Sequence, residues 1–470
     1  MKIERLKSIL LILLVISSIV LTINKWFNEK LWPEGYNFFS DVKKHFAQNQ
    51  SGTSSSFDPV EEILKPAKII LNNSGNHVLY TKSSEEYNNI YGEIKSALKL
   101  LAKSESIITS DEAEWNENLK RKSCYFSYPI QYDSGYFFYQ LSHKYSGSIT
   151  TVCEFILSKD ARVSNIFYMY VRDASNGAVY KYRLNYESDI LDNFIDNAVS
   201  VSDGTDYYSF ELNFDSEAES SVEEHIVIDS DVLINISQKQ ITPVGEQNLF
   251  KDVASKPHVY DGILHSFGYN ASTIRRYTEP DNSMVFVENY GTLKLHTDGI
   301  IDYKSLNSAQ GVSLNSDSVY ECINSCITFV NDVTGALGFS DVLYYEISSN
   351  IINAGSKSFV LNFDYYINDR MIVFSDDAHS LNHAITVEVA DGKIISYKQI
   401  CKDFFIVPYS ITYPSAIDAI NGLEADSSTG KISDLFMAYT FDSAKSMWYP
   451  QWFIENSNGE ISTVPVQTEV

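Results

Sequence analysis

Two carboxylates and two imidazoles fall within eight residues at Asp376-Asp377-Ala378-His379-Ser380-Leu381-Asn382-His383. Imidazole nitrogen and carboxylate oxygen are ligands that zinc and related ions accept, so Asp376, His379 and His383 could close on a metal if the segment folds back on itself. That arrangement would make the chain a metalloenzyme. The segment lies between two strand-like runs, however, where polar residues are ordinary loop solvation, and that reading is preferred. No metal ligand and no cofactor is assigned.

Arg275-Arg276-Tyr277 is an adjacent basic pair in a strongly acidic chain. Guanidinium forks could clamp a carboxylate or an anionic polymer; an internal ion pair with one of the many acidic neighbours is the preferred expectation. Tyr136-Phe137-Phe138-Tyr139 and Trp448-Tyr449-Pro450-Gln451-Trp452-Phe453 could grip a partner or a glycan, yet aromatic strands more often fill a core or meet a neighbouring domain. Cys124, Cys153, Cys322, Cys326 and Cys401 are too few and too irregular for a disulfide framework, and buried free thiols are expected. The sequence has no Gly-rich phosphate loop, no Gly-x-Ser-x-Gly elbow and no His-Glu-x-x-His. No catalytic residue is assigned, and the chain is read as a non-enzyme.

The amino terminus limits what such residues could do. Lys2, Arg5 and Lys7 stand against Glu4, and Ser8 to Asn24 then run 17 residues without a charge. At about 1.5 Å per residue this is near the lower limit for a bilayer span, completed by snorkelling of Lys7 and Lys25. A secretory signal peptide would end in a small-x-small cleavage site; here bulky Lys25-Trp26-Phe27 follow, so a retained transmembrane helix at 8–24 is expected. Basic residues in 1–7 put that tail in the cytoplasm and the bulk of the chain outside the cell membrane. Ser18 and Thr22 share one helix face, where small hydroxyl residues let another helix approach. With so short a tail, any influence inside the cell would travel through helix contacts or a partner. Residues 25–60, including the polar Gln48 to Ser56, read as a juxtamembrane tether.

Composition bounds the rest. Hydrophobic residues at 44% and charged residues at 21% suit ordered globular protein, and 470 residues suit two to four domains. The net charge of −25 repels phosphate backbones, which argues against nucleic acid as a partner.

The elements expected to hold these residues form an α+β protein. Ala67–Leu71 and His77–Thr81 read as strands, and Ser83 to Glu86 as a capping box for a helix with Tyr87, Ile90, Tyr91, Ile94, Leu98 and Leu101 on one face. Asp111–Lys120 and Ile190–Val199 are predicted helices, and Ser175-Asn176-Gly177 a hairpin turn. Tyr207–Phe214 alternates like a strand. Further strands are predicted at Met284–Glu288, Thr292–His296, Asp341–Ser348, Phe359–Ile367, Met371–Ser375, Ala384–Val389, Ile394–Ile400, Ile432–Phe441 and Met447–Ile454, with helices at Ser316–Val333 and after Pro414. Residues 61–199 are expected as a first α+β domain, 200–310 as a second, strand-rich domain and 311–470 as a third α+β domain. The class is α+β, mainly antiparallel sheets with covering helices.

Several of these segments resemble one family. Glu4 to Thr22, with its charged opening and Ser-x-x-Leu-Thr close, looks like the start of the YycH family, and Arg275 to Thr278, Gly291 to Gly299, Ile432 to Tyr439 and Tyr449 to Trp452 match it in style. The resemblance implies a single-pass membrane protein of Gram-positive bacteria with a three-domain extracytoplasmic body, the last domain like YycI. It also implies association with YycI and with the sensor histidine kinase WalK (YycG), modulating signalling that controls cell-wall metabolism, without enzymatic activity. A WalK-like kinase, a YycI-like protein and the lipid bilayer are therefore the expected partners. The competing expectation is an extracytoplasmic binding protein for wall polymer or peptide, acting independently of a kinase.

Overall fold

The computed structural model describes residues 58–464, apart from 105–107, 142–146, 160–165, 187–188, 199–205, 213–226, 256–259, 308, 315, 353–354, 375–381, 422–430 and 458–460. The expected span at 8–24, with Ser18 and Thr22, lies outside the described residues. Among the described residues no helix is long and apolar enough to cross a membrane.

The first lobe opens with α1 (Pro59–Ile63), β1 (Lys68–Asn73) and β2 (Asn76–Tyr80), a hairpin turned by Ser74 and Gly75, both at positive φ. Then come α2 (Tyr87–Leu101), β3 (Ile108–Ser110), α3 (Glu112–Lys120), β4 (Ser123–Asp133) and α4 (Ser134–Gln140). The lobe continues with β5 (Thr151–Lys159), β6 (Ile166–Asp173), β7 (Val179–Asn185) and α5 (Asp189–Ala198). Its seven strands lie in the order β2-β1-β4-β5-β6-β7-β3. Strand alternation assigns the faces: Ile69 and Leu71 join the main core while Ile70, between them, packs with Trp115 and Leu119 of α3. In α2 the expected apolar stripe is fully inside, each large side chain worth roughly 1.5–3 kcal/mol of burial. The expected capping box is not formed: Glu86 stands at the N-cap without a side-chain capping bond, and the Ser84 hydroxyl accepts instead from Thr81 N.

The chain continues through β8 (Asp206–Tyr208), β9 (Leu233–Asn235), β10 (Lys239–Ile241), β11 (Val244–Asn248) and α6 (Asp261–Ser266). A run of meanders follows: β12 (Arg275–Thr278), β13 (Met284–Val287), β14 (Gly291–His296), β15 (Ile300–Ser305) and β16 (Val312–Ser313). Helix α7 (Val319–Leu337) comes next, before β17 (Leu343–Ile347), β18 (Phe359–Ile367), β19 (Arg370–Met371), β20 (Ile385–Ala390) and β21 (Lys393–Ile400). These make one sheet, β12-β13-β14-β15-β21-β20-β18-β17, with β16 on β21 and β19 on β18. A Ser318 capping box starts α7, and Gly338, at φ 65°, ends it after Leu337, four residues beyond the expected Val333. Its stripe of Ile323, Cys326, Ile327, Val330 and Val333 is buried.

The last elements are β22 (Lys402–Ile406), β23 (Ile411–Tyr413), α8 (Ala416–Asn421), β24 (Ile432–Asp442), β25 (Met447–Asn456) and β26 (Ile461–Thr463). Their sheet runs β22-β11-β25-β24, with β26 on β25; β10 pairs β23 and β8 pairs β9 as small ribbons.

The strand pairing and strand lengths differ from expectation in four places. Residue 310, taken as a domain boundary, falls between β15 and β16, which both belong to the ten-stranded sheet, because β15 pairs with the distant β21. Residues beyond 199 still pack on the first lobe, where the Tyr208 hydroxyl donates to Asn72 Oδ1 at 3.0 Å. Where Tyr207–Phe214 is expected as one strand, the described residues form the strand Asp206–Tyr208 and a 3-10 turn at Ser209–Glu211, and of the strand expected at Met371–Ser375 only Met371 belongs to β19; residues 213, 214 and 375 lie outside the described residues.

Candidate functional site

The residues that join the first lobe to the ten-stranded lobe come from loops far apart in sequence. Turn residues Asn368 and Asp369, both at positive φ between β18 and β19, present the Asp369 carboxylate to the loop after β2. Thr81 donates to Asp369 Oδ2 at 2.6 Å, Ser83 donates to the same oxygen, and Tyr344 donates to Oδ1 at 2.7 Å. Beside them Lys82 Nζ and Glu346 Oε1 pair at 2.9 Å with side-chain exposures of 11% and 6%. Burial, and after it the Glu346 charge, holds the Tyr87, Tyr344 and Tyr366 phenols well above their ordinary range. Such phenols stay neutral, and those of Tyr87 and Tyr344 donate hydrogen bonds to Pro66 O and Asp369.

A second joint lies at the end of β4. Asp133 N donates to Ile351 O, Ile351 N to Gln131 O at 2.9 Å, and Gln131 N to Asn350 Oδ1 at 2.9 Å. From α4, Tyr136 OH and Gln140 Nε2 donate to Asn324 Oδ1 of α7 at 3.0 and 2.9 Å. The Tyr136 to Tyr139 run, expected as a strand, is the helix α4, capped by Asp133 accepting from Tyr136 N. Tyr136, Phe137 and Phe138 are buried there and only Tyr139 reaches the surface. The first lobe also meets the C-terminal sheet, where Lys68 Nζ lies 2.6 Å from Asp434 Oδ2.

Trp448, Trp452 and Phe453 are likewise core residues. Trp448 packs against Phe374, Phe404 and Phe441 and donates to Glu246 Oε2 at 2.8 Å, while Trp452 donates to Pro414 O. Exposed on and beside this sheet are Phe405, Ile406 and Phe441 and, in the loop after β22, Tyr409, with the Phe405 ring lying over Gly245. Sequence reading missed this patch; its signal was an apolar pair at the end of a strand that was not anticipated.

Arg275 and Arg276 differ from the expectation of an internal ion pair. They lie on β12, the outermost strand of its sheet, and all four of its residues are exposed. Among the described residues neither guanidinium forms a salt bridge. The neighbouring Glu279 is taken by Lys294 at 2.7 Å.

Of the acidic and histidine cluster, Asp376, Asp377 and His379 lie outside the described residues. His383 turns to Asp364, with Nδ1 3.1 Å from Oδ2, and to Ser348. That Asp364 contact, against the effect of burial, raises its imidazole above the ordinary value. Among the described residues no group of three or more His, Cys, Asp or Glu could hold a metal ion. All five cysteines are free thiols; Cys124, Cys322, Cys326 and Cys401 are buried. Two further polar knots serve the fold. His77 Nδ1 and Nε2 lie 2.8 and 2.9 Å from Asn72 Oδ1 and Glu211 Oε2. Arg172 bridges Glu154 at 2.9 Å and Asp231 at 2.5 Å with its guanidinium 4.4 Å from the Trp115 ring; burial first, then Asp231, pushes Glu154 up against the pull of Arg172.

Successive antiparallel sheets and covering helices, with polar joints between lobes, make this a mainly antiparallel α+β protein. No family model matches the chain, and no curated protein matches it. Among solved structures the chain is similar to the crystal structure of YycH from Bacillus subtilis, with a TM-score of 0.55 and 14% identity over 88% of this chain and 98% of that chain. The likeness shows a YycH-like fold, and at that identity it shows the fold alone.

Proposed function

We propose that the chain is a membrane-anchored regulatory protein that binds a WalK-like sensor histidine kinase and modulates it together with a YycI-like partner. The observation that carries this reading is the YycH-like fold along 88% of the chain. The sequence features shared with that family at Glu4 to Thr22 and Tyr449 to Trp452 add to it. In this reading residues 8–24 span the cell membrane, residues 1–7 lie inside and the sheets lie outside. The acidic body stands off anionic surfaces, which leaves protein partners as its natural contacts.

The span would pack beside the kinase helices through the Ser18 and Thr22 face, and contacts that differ between the kinase's two arrangements would shift their balance. A difference of about 1.4 kcal/mol moves that balance tenfold, within reach of one or two interhelical hydrogen bonds of roughly 0.6–2 kcal/mol each. Replacing Ser8 to Asn24 by an unrelated apolar helix of equal length tests the coupling. Kinase output should lose its dependence on this protein; unchanged output with an intact complex would remove the membrane-contact mechanism.

A second reading, an extracytoplasmic binder of wall polymer or peptide, has the exposed Phe405, Tyr409 and Phe441 in its favour. Retention of the full chain on purified wall glycan, weakened by Phe405→Ala, would support that reading over the first.

A further inference from the structure

The geometry points to β12 as a docking edge for an extended acidic segment of a partner protein, which adds to the ten-stranded sheet as an eleventh strand. On its inner side β12 is fully paired, from Arg275 opposite Val287 to Thr278 opposite Met284. On its outer side no strand follows among the described residues. Alternate residues there turn their main-chain N–H and C=O groups away from the sheet, the groups that strand addition uses. The neighbouring β13 has Met284, Val285 and Phe286 buried, while β12 is exposed on both faces. The edge is therefore held by a buried neighbour strand and paired with no further strand among the described residues.

The side chains select the occupant. Strand alternation sends Arg276 and Thr278 to the face of Phe286 and Met284, and Arg275 and Tyr277 to the face of Val287 and Val285. Each face thus carries one guanidinium without an ion pair among the described residues, in a chain of net charge −25. A charged edge usually guards a sheet against pairing with its own copy, and here a second copy would bring like charges together. The same guard becomes an attraction for a strand with two adjacent carboxylates, one to meet Arg275 and one to meet Arg276. Tyr277, 52% exposed, offers an aromatic surface for an apolar neighbour on that strand. This edge does not depend on the kinase reading, and its test succeeds or fails whatever the partner's identity.

The probe is a fluorescent peptide with the core Thr-Val-Glu-Glu-Val-Thr, titrated by anisotropy against the full chain in detergent. Its counterparts are the same peptide with Lys for both Glu, and one with alternate main-chain amides N-methylated. The acidic peptide should bind roughly tenfold or more tightly than the Lys peptide. R275E/R276E should reverse that order, R275K/R276K should keep it, and N-methylation should abolish binding of the acidic peptide to the unmodified chain. Equal binding of the acidic and Lys peptides would overturn the proposal. So would equal binding of the N-methylated peptide, which would reduce the edge to a point-charge site. Concentration-dependent dimerisation lost in Tyr277→Pro would overturn it too, by assigning the edge to a second copy.

Discussion

Lys82→Met at the joint between the first two lobes removes the cation that faces Glu346 across 2.9 Å. The carboxylate that remains is only 6% exposed, sits among Tyr87, Tyr344 and Tyr366, and has no other salt-bridge partner among the described residues. Losing one partner of such a pair costs about 3–5 kcal/mol, whereas replacing both by apolar side chains of similar volume is often near neutral. K82M should therefore lower stability by about 3–5 kcal/mol, and K82M/E346L should recover most of that loss. Urea unfolding of the purified chain, with midpoints compared at constant slope, measures both. Hydrogen exchange adds the location: protection should fall in K82M at Thr81 to Ser84 and across β17, on the two sides of the joint, and return in the double variant. A K82M loss below about 1 kcal/mol, the usual worth of a surface pair, would refute the reasoning, as would a double variant no better than the single.

Two further outcomes follow from the same physics. His383 has its pKa raised by Asp364, so the pair's stabilisation is fully present below the unfolded value of about 6.5 and is lost as pH rises through the folded value. The Tm gap between the wild-type chain and Asp364→Asn should accordingly be wider at pH 5.5 than at pH 8.5, and a gap that widens with pH would contradict the assigned contact. Burial pushes the Cys124, Cys326 and Cys401 thiols well up, so iodoacetamide at pH 8 should leave them unmodified in the native chain. All five should alkylate in denaturant without reductant; a mass lower by two hydrogens would reveal a disulfide instead.

Local signals in the sequence carried the elements that rest on local rules. The helix Tyr87–Leu101 follows its apolar period, the hairpin at Ser175-Asn176-Gly177 its turn chemistry, and α7 its apolar stripe. Helix α4 was hidden because four consecutive aromatics read as strand, while the deciding feature is the Asp133 cap one turn earlier. Strands β11 and β22 were missed because Val244–Asn248 and Lys402–Ile406 are short and become strands only by pairing with each other and, for β11, with β25. Residue 310 lies between two strands of one sheet for the same cause: β15 finds its partner nearly a hundred residues on, beyond any local pattern. The joints were equally invisible, since Lys82 and Glu346, or Thr81 and Asp369, meet only after both lobes have formed. Arg275-Arg276-Tyr277 was noticed by charge contrast, but its place on an open sheet edge required the strand order.

The central claim, that this body acts on a neighbouring kinase through its span, is tested most directly by photo-crosslinking in native membranes. A photoreactive residue replaces Ser18 or Thr22 in the full chain, and the adduct is identified by mass spectrometry. The account predicts an adduct with a transmembrane helix of a sensor histidine kinase, strongest from those two positions and weak from the opposite face. A chain found free in the culture fluid and trimmed near Thr22, or a span whose crosslinks reach lipid alone, would contradict it.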